Sequence, residues 1–301
     1  MILFAPEYYT RFKCIADKCS HSCCVGWEID IDELSLKKYS ELSEGYGAAI
    51  AASIEDGDPP HFRLGERDRC PHLDECGLCR IITECGEEYL SDICREHPRF
   101  SIDTARHRFV GVGMACEEAA GIILSSDGYS DFVALSECDG EEKTDKFDTH
   151  PHVMHAYRIL SDKSLPYRQR LFALADAFCL NVFDIHDGEY LSLIRELEYL
   201  NEDSRDRFSV YDADSAVTKD LEAPLSRALA YFIFRHAMGA RNLEEFRIGL
   251  SLAIFLERLL SSVAVSEGIT DLTSLTELCR TLSEEIEYSE DNTEQIKFTF
   301  I

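Results

Sequence analysis

Long apolar runs are missing from this chain of 301 residues. No segment approaches the roughly 18 consecutive apolar residues that cross a membrane as a helix. The most apolar run, Leu250 to Leu256, stops at Glu257 and Arg258. The start, Met1 to Glu7, is too short an apolar stretch for a signal segment and has no basic residues before it. Positive charge is scarce as well: 30 Lys and Arg face 57 Asp and Glu, a formal net charge of -27. Both parts of the chain carry the excess, with 23 acids to 13 bases over residues 1–120 and 34 to 17 beyond. Such a surface repels phosphate backbones and keeps a protein in solution, while attracting lysine-rich protein surfaces. The expectation is a cytoplasmic protein with no nucleic-acid partner and no membrane partner. Period-two alternation is rare, so a large sheet is not expected, and there is no internal repeat or low-complexity tract.

Cysteine is abundant instead. Thirteen are present, and ten lie between Cys14 and Cys116; Cys138, Cys179 and Cys279 are scattered singly. A reducing compartment keeps thiols from pairing, so this density reads as metal ligation rather than disulfides. Two groups stand out: Cys14, Cys19 and the adjacent Cys23-Cys24 pair, then Cys70, Cys76, Cys79, Cys85 and Cys94, with Cys116 following. Thiolates suit soft or borderline metals, and four of them complete a structural zinc site or a four-iron cluster. Zinc sites usually draw ligands from paired C-x2-C units, and only Cys76 and Cys79 have that form. The common ferredoxin spacings are absent too, so spacing leaves zinc and iron–sulfur both open.

The cysteine-rich part is punctuated by Gly and Pro, with short helices expected at about 32–43, 86–94 and 117–125. A thin core of this kind would draw stability from bound metal. Ser136 to Thr149 is polar, and beyond it the pattern turns helical. Helices are expected at about 166–183, 188–200, 215–239, 242–265 and 271–288, with Asn242 as an N-cap ahead of Glu245. The fold class is therefore mainly α: an irregular cysteine and metal domain over residues 1–135, a linker or exposed loop over 136–150, and a helical domain over 151–301.

Several segments resemble the flagellin lysine-N-methylase family. They are Phe12-x-Cys14 through Cys19, Cys23-Cys24-x-Gly26-Trp27-x-Ile29-Asp30; Arg69-Cys70-Pro71 through Leu78-Cys79-Arg80-Ile81; Gly86-Glu87-Glu88-Tyr89-Leu90-Ser91 through Cys94-Arg95 and Pro98-Arg99; and Cys116-x-Glu118-Ala119-Ala120. The order and spacing match over roughly residues 6–125, and Tyr231 to His236 matches more loosely. A broader family of zinc- or iron-chelating cysteine-cluster proteins shares part of the pattern. The resemblance implies methyl transfer from S-adenosylmethionine to lysines of flagellin and a four-iron, four-sulfide (4Fe-4S) cluster, with zinc as the alternative. The ligand candidates it implies are Cys14, Cys19, Cys23, Cys24, Cys70, Cys79, Cys94 and Cys116. Cys76 and Cys85 rank below them, because the family carries other residues there, and Glu117 stands where a proline is expected. A donor-binding role would fall to Arg95 and Arg99, whose guanidinium forks suit a carboxylate, and to Trp27, which could pack on a sulfonium. Plain ion pairing and core packing are the competing roles.

Other patterns carry less. His150, His152 and His155 suit a divalent metal or simply an exposed helix start, and His72 and His97 suit support of neighbouring ligands. Gly111-Val112-Gly113 lacks the third glycine of a dinucleotide loop. The rival functions are a non-enzymatic zinc- or iron-binding module and an iron–sulfur electron carrier.

Overall fold

The computed structural model describes residues 1–26, 28–126, 131–140 and 146–301. The chain divides into two compact units, one of Met1–Phe12 with Phe100–Ile301, the other of Lys13–Arg99.

The first unit carries a sheet of four short strands, β1 (Ile2–Pro6), β4 (Arg99–Asp103, entering from the other unit), β5 (His107–Val112) and β6 (Phe132–Glu137), in the order β4-β5-β1-β6. The apolar start that is too short for a signal segment is thus a strand. It runs parallel to β5 with Phe4 opposite Phe109, and antiparallel to β6 with a register shift between Leu3 and Phe4. The remaining elements are helices: α5 (Glu117–Ser125), α6 (His150–Leu160), α7 (Tyr167–Phe178), α8 (Asp187–Glu196), α9 (Glu202–Phe208), α10 (Lys219–Ala237), α11 (Leu243–Ser266), α12 (Leu272–Leu282) and α13 (Glu290–Phe298). The molecule is mainly α, as its patterning implies.

Helices α10 and α11 form the centre. Asn242 accepts from the Glu245 amide at 2.9 Å, and the Glu245 carboxylate accepts from the Arg241 amide at 2.9 Å, so the start of α11 is doubly satisfied. This helix is long and apolar enough to cross a membrane, yet 89% of its most apolar window is buried inside the protein. Helix α12 starts on Asp271, which accepts from Ser274 at 2.9 Å, and runs into a π-helical turn, Ser283–Glu287. The single helix expected at 271–288 is therefore two segments.

The second unit contains α1 (Glu33–Ser40), α2 (Gly45–Ala52), the paired strands β2 (Ile54–Glu55) and β3 (His61–Phe62), α3 (Arg80–Glu84) and α4 (Asp92–Glu96). Asp32 caps α1 by accepting from Ser35 at 2.9 Å. A helix over 86–94 does not form. A 3-10 turn, Glu87–Tyr89, is separated from α4 by Leu90 and Ser91, whose ψ angles of 140° and 160° are extended. The core of this unit is small, built on Ile29, Ile31, Tyr39, Ile50 and Phe62 with Cys70, Leu73 and Ile81. The expected cysteine domain of residues 1–135 takes in this whole unit and, from the first, β1, β4, β5, α5 and most of β6. Of the expected linker, Ser136 and Glu137 end β6, His150 opens α6, and residues 141–145 lie outside the described residues.

Candidate functional site

In the second unit, backbone pairing sets the cysteines. The Cys70 amide donates to the Cys24 carbonyl at 2.8 Å, and Gly26 donates to Asp68 at 3.1 Å, so the two cysteine groups lie side by side. A hairpin returns the chain from Cys70 to Cys79. Its tip is Gly77, with φ +79°, a region L side chains disfavour. The Asp74 carboxylate braces it, accepting from Cys76 at 2.8 Å and Leu78 at 2.9 Å. Cys79 is the N-cap residue of α3, and Cys94 lies on α4 beside Ser91.

Cys24, Cys70, Cys79 and Cys94 are thereby brought within electrostatic reach of one another, with Cys14 and Cys23 alongside. Burial first, then the neighbouring sulfurs, pushes Cys70 up to about 12 and Cys94 up to about 11, and raises Cys79. Cys24 is the low member at about 7, because the Cys23 thiol donates to it, with help from Ser22 and Arg69. Among the described residues, no three His, Cys, Asp or Glu side chains stand as a closed coordination shell. In kind and number the thiols nonetheless fit a thiophilic metal or cluster: they are soft and partly buried, and a bound cation would stabilise the thiolate forms that burial disfavours.

The other candidates are spread out. The Cys19 thiol donates to the His21 carbonyl at 2.7 Å, and Cys76 is exposed. Cys116 belongs to the first unit, at the N-cap of α5, within electrostatic reach of Tyr288. Cys138 sits by the first residue, Cys179 is exposed at the end of α7, and Cys279 is a buried residue of α12. Arg95 pairs with Asp92 and, at 3.7 Å, with Glu96, and its carbonyl lies 3.5 Å from an Arg99 guanidinium nitrogen. Trp27 lies outside the described residues. His72 has both ring nitrogens engaged, by Tyr46 and Ser53 at 2.9 Å each, and burial lowers it to about 4. Burial does the same to His97. His152 packs on Phe147 and Phe246, His155 on Phe178, and His150 on the β5–β6 aromatics, so the three do not converge.

The first unit holds a polar centre that pattern reading missed. Glu287, at the end of the π turn, is fully buried, and one carboxylate oxygen meets the Tyr231 hydroxyl at 2.9 Å, Arg235 Nε at 2.9 Å and His236 Nε2 at 3.1 Å; Ser283 donates to the other. Burial works against its charge, but Arg235, His236 and Ser283 outweigh burial and hold the carboxyl below its usual range. The Tyr231 hydroxyl also accepts from the Met114 amide at 3.2 Å. Arg235 is clasped between Phe100 and Tyr288, 4.4 and 4.6 Å from the ring centroids. Tyr8 is buried within electrostatic reach of Glu287, and its hydroxyl has no hydrogen-bond partner among the described residues. Hydroxyls, an imidazole and an ionised carboxylate linked this way have the chemistry of a proton relay. The signal in the sequence is the Tyr231 to His236 run, which places Arg235 one helical turn after Tyr231 with His236 next to it. Gly111 and Gly113 serve packing: a Cβ on Gly113 would stand 1.8 Å from the Tyr288 hydroxyl, and one on Gly111 2.5 Å from Phe100.

Among known proteins, the chain is 29% identical over 189 residues to a lysine-N-methylase of Salmonella typhimurium, covering 60% of this chain and 41% of that protein. A lysine-N-methylase of Salmonella choleraesuis is 28% identical over 193 residues, with the same coverage. A flagellar biosynthetic protein, FliU, of Salmonella muenchen is 30% identical over 142 residues, 44% of this chain and 80% of that one. The chain thus spans about two fifths of the length of the two methylases. No family model matches it, and no solved structure does.

Proposed function

The chain belongs to the flagellin lysine-N-methylase family, and on that premise we propose that it transfers methyl groups from S-adenosylmethionine to lysine ε-amines of flagellin in the cytoplasm. The observation that carries the proposal is the gathering of family-motif thiols, Cys24, Cys70, Cys79 and Cys94, in one unit of a chain whose relatives are named for lysine methylation. These four are the first candidates to hold an iron–sulfur cluster, ahead of Cys14, Cys19, Cys23 and Cys116. Held by these residues, a cluster would cross-link the segments that carry them and supply stability that the small core does not.

The transfer is a displacement at carbon. The amine lone pair forms the N–C bond, the C–S bond breaks with its electrons returning to sulfur, and the nitrogen sheds a proton to a base or solvent. Only the neutral amine is nucleophilic, and free lysine has a pKa of about 10.4, so rate rises with pH below that range. The excess of acids, 57 against 30 bases, suits a lysine-bearing partner surface.

The test is intact-mass spectrometry of cognate flagellin after incubation with anaerobically purified protein and S-adenosylmethionine. The expected outcome is stepwise one-methyl gains on lysine. Unchanged flagellin with protein shown to be replete in iron and sulfide would overturn the methylase reading and leave the metal-binding module.

A further inference from the structure

We propose that a cleft on the sheet of the first unit is a recognition site for an onium cation, the ammonium or methylammonium end of a lysine side chain. The cleft has a volume of about 430 Å³ and is lined by Phe4, Phe109, Asp131, Phe132, His150 and Met154. Strand pairing assembles it: β1 contributes Phe4, β5 Phe109, β6 Phe132, and α6 closes it with His150 and Met154. Phe109 stands at its centre. Phe4 stacks on Phe109 at 5.8 Å, while Phe132 meets it edge-on at 5.1 Å with planes 75° apart. His150 lies 5.9 Å from Phe109 and 5.8 Å from Phe132, nearly perpendicular to the latter. Burial, ahead of a repulsive contribution from His107, keeps His150 low and neutral, although Asp148 pulls the other way.

Phe132 stands steeply to both Phe109 and His150 while Phe4 covers Phe109, and the faces that partly exposed rings such as Phe132 and Phe4 turn to the cleft attract cations whose hydration is weak. The one formal charge among the lining residues is negative. Asp131 is exposed at the rim, and its carboxylate has no ion-pair partner among the described residues. A purely apolar guest would gain nothing from Asp131. The methyl donor fits worse, because its own carboxylate would face that aspartate with no cation among the lining residues to receive it. A slim aliphatic stem ending in a cation satisfies every wall: methylenes against Met154 and the phenyl rings, the onium head over the rings, and Asp131 completing the charge. The chain's net charge of -27 favours the approach of such a partner. Choosing lysine as the occupant rests on the methylase reading; the cation site itself does not.

The experiment uses the full chain carrying 13C-methyl methionine, in which the Met154 signal reports the cleft. The probes are choline and its uncharged isostere 3,3-dimethylbutan-1-ol, then end-blocked Nε-trimethyllysine and end-blocked Nε-acetyllysine. The expected result is a saturable Met154 shift with choline and trimethyllysine, about tenfold tighter than with either neutral probe. Asp131→Asn, an exposed change, should weaken the cations while leaving the neutral probes unchanged, and Phe132→Leu should weaken the cations more than the neutral probes. Equal responses to choline and the alcohol, or a Met154 shift that Asp131→Asn leaves untouched, would overturn the site. Cation binding without flagellin methylation would keep the site and remove the methylase reading. Methylation with no Met154 response would do the reverse.

Discussion

Glu287 concentrates the electrostatics of the helical unit on one oxygen. Its side chain has no exposure, and Arg235 beside it is only 18% exposed, so neither charge has water to fall back on. Removing one member of a buried pair leaves the other uncompensated, which typically costs about 3–5 kcal/mol. Glu287→Ala should therefore lower unfolding free energy by roughly that amount in urea titrations, and Glu287→Gln, which still accepts a hydrogen bond, by less. The pH dependence has a definite sign. Burial lowers His236 despite Glu287, and Glu287 is itself held low, so the unfolded chain binds more protons than the folded one below the ordinary pKa of each group. Stability contributed by both is present above about 6.5 for the imidazole and above about 4.5 for the carboxyl, and is lost as pH falls through the lower folded values. The stability difference between wild type and Glu287→Gln should accordingly shrink only once pH falls below about 4.5, as measured by urea midpoints from about pH 5 to about pH 3; a difference constant over that range would reject the account. Gly113 makes the same region sensitive to volume. Gly113→Ala places a carbon against the Tyr288 hydroxyl and should cost about 1–3 kcal/mol. Adding Tyr288→Phe should recover part of this, and strictly additive losses in the double variant would show that the hydroxyl is not the obstacle.

Helix α11 shows what linear pattern can deliver. Asn242, Glu245 and the apolar period announced a helix at 242–265, and the structure has Leu243–Ser266 with that cap in place. Because the cap is exposed and local, Asn242→Ala should cost about 1 kcal/mol and lower the thermal midpoint without changing the fold. An unchanged midpoint would mean that the Glu245–Arg241 contacts hold the helix start alone. Other elements were not legible for physical reasons. The segment Ile2 to Pro6 is a strand only because β5 and β6 flank it, and those partners lie about a hundred residues away in sequence. Glu287 sits in an ordinary helical tail, and nothing in its neighbours says that the π turn points its carboxylate inward. The cysteine motifs were visible as spacing. That Cys24, Cys70, Cys79 and Cys94 share one neighbourhood depends on the 24–26 and 68–70 backbone pairing, which no spacing rule encodes.

At the scale of the whole molecule the two units differ in what stabilises them. The helical unit has an apolar core running through α5 to α13, whereas the core of the Lys13–Arg99 unit is confined to a handful of side chains around Ile29, Tyr39 and Phe62. Folding free energy in so small a core is marginal without a cross-link or a metal. A group bound by thiolates would supply it, since binding to the folded form alone is stabilisation. Two consequences follow for protein isolated without oxygen. It should contain iron and sulfide, about four of each if the group is a four-iron cluster; Cys94→Ser should lose them and Cys179→Ser should not, because Cys179 stands alone and exposed at the end of α7. Stripping the group with chelator should then abolish amide-exchange protection across residues 13–99 while α10 and α11 stay protected, because their burial owes nothing to thiols. Hydrogen-exchange mass spectrometry of replete and stripped protein reads both units in one measurement. Uniform loss over the whole chain would mean the units fold as one, and unchanged protection over 13–99 would mean that the small core suffices without the metal.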